Sequence, residues 1–232
     1  MKRVVREGFG GTGPGAITPD GCAVELYARL PAQGEPDVIA SAVPAGARLL
    51  ELGCGAGRVT RPLVERGFAV TAVDESPEML ERVERAAGAA TVCSPIEVLD
   101  LGERFDAVLL CSFLVHSGDP GVARGMLEAC RRHVSGGGCV ILQREPYDAH
   151  TSVPRTRDVA GGTVRIASST PVAPGVRRVF AEYEFPDARW TQTFLSRPLT
   201  REAFEAALAG AGLAVDAYLT DDHVWVRAVP AG

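Results

Sequence analysis

The sequence predicts an α/β fold: a parallel sheet covered by helices on both faces, ending antiparallel, with a small antiparallel β insertion. Three observations predict it. Between residues 47 and 142, short continuous apolar runs alternate with amphipathic helical segments. The first run ends in a glycine turn, Gly53-Cys54-Gly55-Ala56-Gly57, that leads into a helix. After about residue 160 the pattern changes to polar–apolar alternation broken by Pro and Gly, as in antiparallel strands.

The elements follow in order. Gly8 to Gly21, crowded with Gly, Pro and Thr, predicts a loop or mobile arm. Asp20 is placed to cap a short helix over Cys22–Leu30, and Pro36-Asp37 to open another that ends before Pro44. Ala47–Leu52 is the first apolar strand, and Val59–Arg66 a helix stopped by Gly67. Ala69–Val73 is a strand ending at Asp74, and Pro77–Ala87 a helix opened by Ser76. Thr91–Cys93 and Asp106–Cys111 are strands, Val122–Val134 a helix closing on Gly136-Gly137-Gly138, and Cys139–Leu142 the next strand. Val164–Ala167, Arg177–Phe185 and Trp190–Leu195 form the insertion. A helix then starts at Thr200 and ends at Gly210 or Gly212, before strands Ala214–Leu219 and His223–Val229.

At 232 residues, 46% hydrophobic and 23% charged, the chain has an ordinary globular balance, which excludes a disordered or fibrous protein. No apolar run approaches the roughly 20 residues of a membrane span, and Met1–Arg6 lacks a signal peptide's apolar stretch, so a soluble cytoplasmic protein without a membrane partner is expected. A net charge of −5 argues against a partner recognised through phosphate neutralisation, so no nucleic-acid partner is expected. The six cysteines lack CxxC spacing and read as reduced thiols; no cluster has metal-ligand spacing, so no metal is expected. Lys2 is the only lysine, so any anion clamp must use arginine.

The strongest chemical signal is Glu51-Leu52-Gly53-Cys54-Gly55-Ala56-Gly57-Arg58. A strand running through spaced glycines into a helix makes a tight turn that lets backbone approach a ligand closely. The N–H groups and positive end of the following helix suit a carboxylate or phosphate. Asp74 ends the next strand about 20 residues on, where an acid accepts hydrogen bonds from ribose hydroxyls; the alternative is a helix-capping Asp.

These residues, with Ala72-Val73-Asp74-x-Ser76-Pro77-x-Met79-Leu80, Phe105-Asp106-Ala107-Val108 and Gly136-Gly137-Gly138, resemble the class I S-adenosylmethionine-dependent methyltransferases of small-molecule type. The resemblance covers about residues 37–145 and, more loosely, the C-terminal helix and strands. It implies a Rossmann-like seven-stranded sheet in the order 3-2-1-4-5-7-6, with the last strand antiparallel. It also implies a single domain: N-terminal arm and lid helices (1–45), cofactor-binding core (46–146), β insertion or substrate lid (147–198), and C-terminal helix and strands (199–232). The cofactor would be S-adenosylmethionine and the product S-adenosylhomocysteine. Its methionine part would lie along Gly53, Cys54, Gly55 and Gly57, with Glu51 fixing the loop or reaching the amino group. Asp74 would hold the ribose, with Glu75 and Met79 beside the adenine. Many relatives carry an acid after the third strand; here Ser94-Pro95-Ile96 stands in its place and would substitute. Cys111, ending the fourth strand, and Tyr27, on an N-terminal helix, complete the cofactor set. For Tyr27 a core position at helical spacing is the alternative to meeting the sulfonium.

Methyl transfer from a sulfonium needs mostly collinear placement. Where a hydroxyl or ammonium acceptor must lose a proton, a histidine is the usual base. His116, just past the fourth strand, is the candidate; packing is its alternative. His150 lies where a substrate lid could begin and ranks below it, while His133 and His223 read as structural or surface residues. Arg144, Glu145 and Tyr147, after the fifth strand, are candidate substrate contacts. The expected reaction methylates an oxygen or nitrogen, with carbon open, of a small metabolite or natural product. A homodimer is left open. The alternatives are a non-methylating enzyme or cofactor-binding protein on the same fold and, with less support, an NAD(P)-dependent oxidoreductase. Against the last stand GxGxG in place of GxGxxG and a single lysine far from any Tyr-x-x-x-Lys.

Overall fold

Apolar runs without alternation form strands buried on both faces. Leu49, Leu50 and Leu52 are fully buried, yet they serve opposite sides. Leu49 packs with Ile39, Leu63 and Ile141, whereas Leu50 and Leu52 pack with Val108, Leu110 and Phe204. Truncating any of these leucines to Ala costs about 2–5 kcal/mol.

The computed structural model describes residues 6–232, with 85–87 described by backbone alone. Residues 1–5, which include Lys2 and most of the expected leaderless start, lie outside the described residues. β1 (Gly10–Thr12) precedes α1 (Val24–Tyr27) and α2 (Glu35–Ala42). The core alternates β2 (Arg48–Leu52), α3 (Thr60–Glu65), β3 (Ala69–Asp74), α4 (Pro77–Ala87), β4 (Ala90–Cys93), β5 (Phe105–Leu110), α5 (Pro120–His133) and β6 (Val134–Gln143). The insertion is β7 (Arg155–Val159), β8 (Gly162–Ala173), β9 (Val176–Phe185) and β10 (Ala188–Ser196). α6 (Arg201–Gly210), β11 (Leu213–Tyr218) and β12 (Trp225–Pro230) follow.

The seven-stranded sheet runs β4-β3-β2-β5-β6-β12-β11. Counted from β2 as the first core strand, this is the expected order 3-2-1-4-5-7-6, and β12 is antiparallel to both neighbours. The second sheet is antiparallel, β1-β10-β9-β8-β7. Among the described residues no helix is long and apolar enough to cross a membrane.

Several local expectations are corrected. The arm at Gly10–Thr12 is a strand on β10, pairing Gly10 with Thr193; a Cβ on Gly11 would stand 2.2 Å from the Gly21 carbonyl oxygen. α1 is one turn, not the span Cys22–Leu30, and Asp20 does not cap it. The Asp20 carboxylate instead accepts from Thr18 Oγ1 and from Cys22 Sγ. α5 starts at Pro120 because Asp119 accepts from the N–H groups of Gly121 (2.7 Å) and Val122 (3.2 Å). Gly136–Gly138 lie inside β6, where the pairing register with β5 shifts. There Gly138 passes so close to the Asp106 carbonyl that a Cβ would sit 2.5 Å from it. β7 escapes sequence reading because Arg155-Thr156-Arg157-Asp158 is an exposed polar edge with no apolar face.

Candidate active site

At the carboxyl end of β2 the chain turns through Gly53 (φ 72°), Gly55 (φ 54°) and Gly57 (φ 84°), a left-handed backbone that side chains rarely adopt. A Cβ on Gly53 would strike Leu114 at 2.5 Å, whereas one on Gly55 would enter open space, the hollow of the loop. The N–H groups of Gly53 and Cys54 donate to the Val73 carbonyl (2.8 and 2.9 Å). That of Gly55 donates to Asp74 Oδ2 (2.9 Å), and the Ser76 N–H to Oδ1 (2.9 Å). Asp74 is thus the tie between loop and β3, and Ser76 is the residue that caps α4, accepting from the Met79 N–H. Burial pushes the Asp74 carboxyl up to about 6 against the pull of those two N–H groups.

Glu51 lies beneath the loop, 4% exposed, and accepts from Thr60 Oγ1 at 2.6 Å. Burial lifts its carboxyl to about 7, opposed by the Thr60 hydrogen bond and by Arg58. Arg58 itself pairs with Glu35. A cleft of about 200 Å³ opens beside the loop, lined by Tyr27, Leu30, Ala56, Gly57, Arg58 and Arg61 among others.

On the other flank, Glu75 is held by Arg6, whose Nη2 reaches Glu75 Oε2 at 2.7 Å and Glu97 Oε1 at 2.9 Å. Met79 is buried against Val24 of α1 and Ala56 of the loop. The Ser94 N–H donates to the Asp74 carbonyl (3.0 Å), its hydroxyl turns to the Pro95 carbonyl (3.0 Å), and Pro95 leads into the 3₁₀ turn Ile96–Val98. Ile96 is buried in the core below. The two cysteines of the expected cofactor set differ in their surroundings. The Cys54 thiol packs among Ala72, Leu80 and Val83 and reaches the Gly55 carbonyl of the loop (3.5 Å), whereas that of Cys111 sits in the core with Ile39 and Leu109. Tyr27 takes the core position: its ring packs beside Val24, Ala56 and Met79, and its hydroxyl donates to Gln192 Oε1 of β10 (3.1 Å).

His116 does not stand free at the crevice. It is buried; its Nδ1 lies 3.1 Å from the Arg197 carbonyl, and its Nε2 accepts from the Glu145 N–H at 2.9 Å. Burial lowers its pKa, and the two backbone partners call for a proton on Nδ1 and a lone pair on Nε2. This corrects the expected base: both nitrogens serve the backbone, leaving none for an acceptor's proton. Arg144 is also corrected. It is buried, donates to the Leu199 and His223 carbonyls (3.4 and 3.5 Å) and stacks over Phe204, so its guanidinium is committed to structure. Glu145 turns its carboxylate to His150, with Oε2 2.6 Å from Nε2, and Tyr147 is 57% exposed. His133 is buried, bonded to Ala129 and Leu101, and His223 stacks on Tyr218. Arg6, Thr60 and Gln192 escaped the sequence reading. Each meets a partner that the fold brings to it, Glu75, Glu51 and Tyr27 respectively, and no local pattern marks such a contact. No group of three or more metal-ligating side chains occurs among the described residues.

Comparison with known proteins adds the family. Residues 49–138, from β2 through the glycine run of β6, match the family described as "Methyltransferase domain". Residues 49–138 thus match a methyltransferase domain, and the whole chain shares the fold of S-adenosylmethionine-dependent methyltransferases. This methyltransferase domain is similar to the ubiquinone biosynthesis O-methyltransferase of Nitrobacter winogradskyi, 33% identical over 99 residues that cover 40% of this chain and 37% of that protein. It is 40% identical over 114 residues to an uncharacterized methyltransferase of Mycobacterium tuberculosis, covering 48% of this chain and 46% of that protein. The chain thus spans less than half the length of these curated relatives. Among solved structures, the methyltransferase fold is similar to an S-adenosylmethionine-dependent methyltransferase from Clostridium acetobutylicum (TM-score 0.73, 18% identity, 89% of this chain and 95% of that one). It is also similar to a sugar N-methyltransferase from Streptoalloteichus (TM-score 0.69, 21% identity, 95% and 98%) and to an amino pentose methyltransferase from Micromonospora echinaspora (TM-score 0.66, 24% identity, 91% and 93%). At these identities the likeness is one of fold.

Proposed function

We propose that this chain transfers a methyl group from S-adenosylmethionine to a nitrogen or oxygen of a small metabolite or natural product. The observation that carries the reading is the open hollow at Gly55, roped by its N–H to the carboxylate of Asp74 and underlain by the buried carboxylate of Glu51. Those donors and acceptors fit the cofactor. Glu51, with one oxygen on Thr60, suits an ammonium tail, and each oxygen of Asp74 keeps a lone pair for a ribose hydroxyl. Arg58, beside the loop, suits a carboxylate. Met79 and Ile96 offer apolar walls to a base, and Ser94 a hydroxyl. When bound, the cofactor supplies an activated methyl on sulfur; the protein's part is placement and exclusion of water.

A small acceptor is supported by the second sheet, whose β10 reaches Tyr27 beside the loop and closes the crevice from above. The acidic balance and the pairing of Arg165 with Glu182, and of Arg177 with Ser169, leave little for a phosphate backbone. The sugar and amino pentose methyltransferases of like fold favour natural-product chemistry. Six unpaired cysteines suit a reducing, cytoplasmic setting.

Calorimetry with S-adenosylhomocysteine, followed by assay of its release from S-adenosylmethionine over amino-sugar, phenol and carboxylate acceptors, tests this. Binding with release on one acceptor class is expected. Binding with no release on any favours a non-methylating protein, and no heat with either form of the cofactor removes the reading.

A further inference from the structure

We propose that His150, oriented by Glu145, is the group that takes the proton from the methyl acceptor. The proposal rests on the methyl-transfer reading and names its proton acceptor.

Three histidines are buried, and they are not alike. His133 uses both ring nitrogens, Nδ1 to the Ala129 carbonyl at 2.7 Å and Nε2 from the Leu101 N–H at 3.0 Å. His116 does the same with Arg197 and Glu145. His150 is 1% exposed, yet its Nδ1 has no hydrogen-bond partner. Its Nε2 has a carboxylate oxygen of Glu145 at 2.6 Å, lying off the ring N–H direction. A packing histidine has its nitrogens satisfied, as the other two show; a buried nitrogen without a partner is kept where something else uses it. The close carboxylate favours the proton on Nε2 and leaves the lone pair on Nδ1, the arrangement in which a carboxylate–imidazole pair acts as a base.

The pair also stands in the right place. Glu145 and His150 follow the carboxyl end of β6, beside β5, on the edge where open α/β sheets bind ligands. His116 holds the Glu145 backbone, so the ring expected to be the base instead positions the carboxylate of another. The His150 ring packs edge-on against Phe194 of β10, centroids 6.4 Å apart. Two residues back along that strand, about 7 Å, Gln192 on the same face holds the hydroxyl of Tyr27 beside the glycine loop. Of the charged or titratable groups, the Glu145 carboxylate faces the ring directly and His116 interacts with it electrostatically.

In the step itself the acceptor's lone pair bonds to the methyl carbon, and the electron pair of the methyl–sulfur bond stays on sulfur as a neutral thioether. The acceptor's proton passes to His150 Nδ1, and Glu145 balances the imidazolium.

The test reads the imidazole directly. Nitrogen-15 NMR of the wild-type chain saturated with S-adenosylhomocysteine at pH 7.5 is expected to show His150 with Nε2 protonated and Nδ1 bare. Turnover is then measured on the acceptor that releases S-adenosylhomocysteine. His150→Gln is expected to keep S-adenosylhomocysteine affinity within about 2-fold, lose about 10²–10⁴-fold in kcat, and lose the rise of kcat with pH. Glu145→Gln is expected to lose about 10-fold, part of it restored by Glu145→Asp. Normal cofactor affinity with a proton on Nδ1 at pH 7.5, or His150→Gln turnover within about 3-fold of wild type, overturns the assignment alone. No S-adenosylhomocysteine heat in the wild type overturns the methyl-transfer reading, and the assignment with it.

Discussion

The backbone N–H of Gly55 donates to the side chain of Asp74 at 2.9 Å, across 19 residues of sequence. One carboxylate therefore shapes the loop and, in the function proposed above, also receives a ribose. Hydrogen bonds to a charged group contribute about 1.5–3 kcal/mol each. Asp74→Ala is thus expected to raise the Kd for S-adenosylhomocysteine by at least about 100-fold and to lower the midpoint of thermal unfolding. Calorimetry and a melting curve read the two effects separately; an unchanged Kd contradicts the assignment.

Gly55 and Gly67 offer a matched pair. Both have left-handed φ (54° and 87°), and a Cβ at either meets nothing within 4 Å. An alanine at each is expected to cost about 1–2 kcal/mol of backbone strain, seen as a similar drop in denaturant midpoint. Only Gly55→Ala places a methyl in the hollow of the loop, so only it is expected to weaken S-adenosylhomocysteine by 10-fold or more.

The pH dependence follows from Glu51 and Asp74. Both carboxyls are raised by burial, to about 7 from 4.5 and to about 6 from 3.8. The folded chain therefore holds more protons than the unfolded one between about pH 4 and 7, and their contribution to stability is full below that window and falls as pH rises through it. Glu51→Gln removes the larger part, so its stability relative to wild type is expected to grow from pH 5 to pH 7, by an amount on the order of 2 kcal/mol. An ammonium tail beside Glu51 favours the carboxylate. Cofactor binding near pH 6.5 is therefore expected to release protons, read as heats that differ between phosphate and Tris buffers and converge in the variant.

His116→Phe leaves the Glu145 N–H and the Arg197 carbonyl without their ring partners. At about 1–3 kcal/mol for a buried group left unpaired, a fall of about 2–4 kcal/mol in unfolding free energy is expected, with S-adenosylhomocysteine affinity nearly unchanged. Urea denaturation alongside calorimetry distinguishes this latch from a cofactor contact.

Arg6 ties the arm that precedes β1 to Glu75 after β3 and to Glu97 in the 3₁₀ turn, closing one flank of the site. The pairs are partly exposed, so Arg6→Ala is expected to cost only about 1 kcal/mol in stability. Its larger effect is expected on exchange: the off-rate of S-adenosylhomocysteine by stopped flow rises several-fold, and proteolysis of the arm accelerates.

The legible part of this protein is the part written in neighbouring residues. Leu49-Leu50-Glu51-Leu52 announces a strand buried on both faces, Gly53, Gly55 and Gly57 a turn that only glycine makes, and Ser76 and Thr200 the starts of helices. Period and backbone conformation are local, so the alternation of strands and helices and the glycine loop could be read before any coordinates. The order of the sheet came through resemblance. Sequence ranked His116 above His150, and packing reverses that order. His116, His133 and His150 each sit near an element end, and only packing shows that two have both nitrogens hydrogen-bonded while the third has neither, with a carboxylate beside Nε2 alone. The same holds for Arg6 on Glu75, Thr60 on Glu51 and Tyr27 on Gln192. A hydrogen bond forms or fails over a few tenths of an ångström between groups brought together from distant parts of the chain, and tertiary structure alone sets that distance.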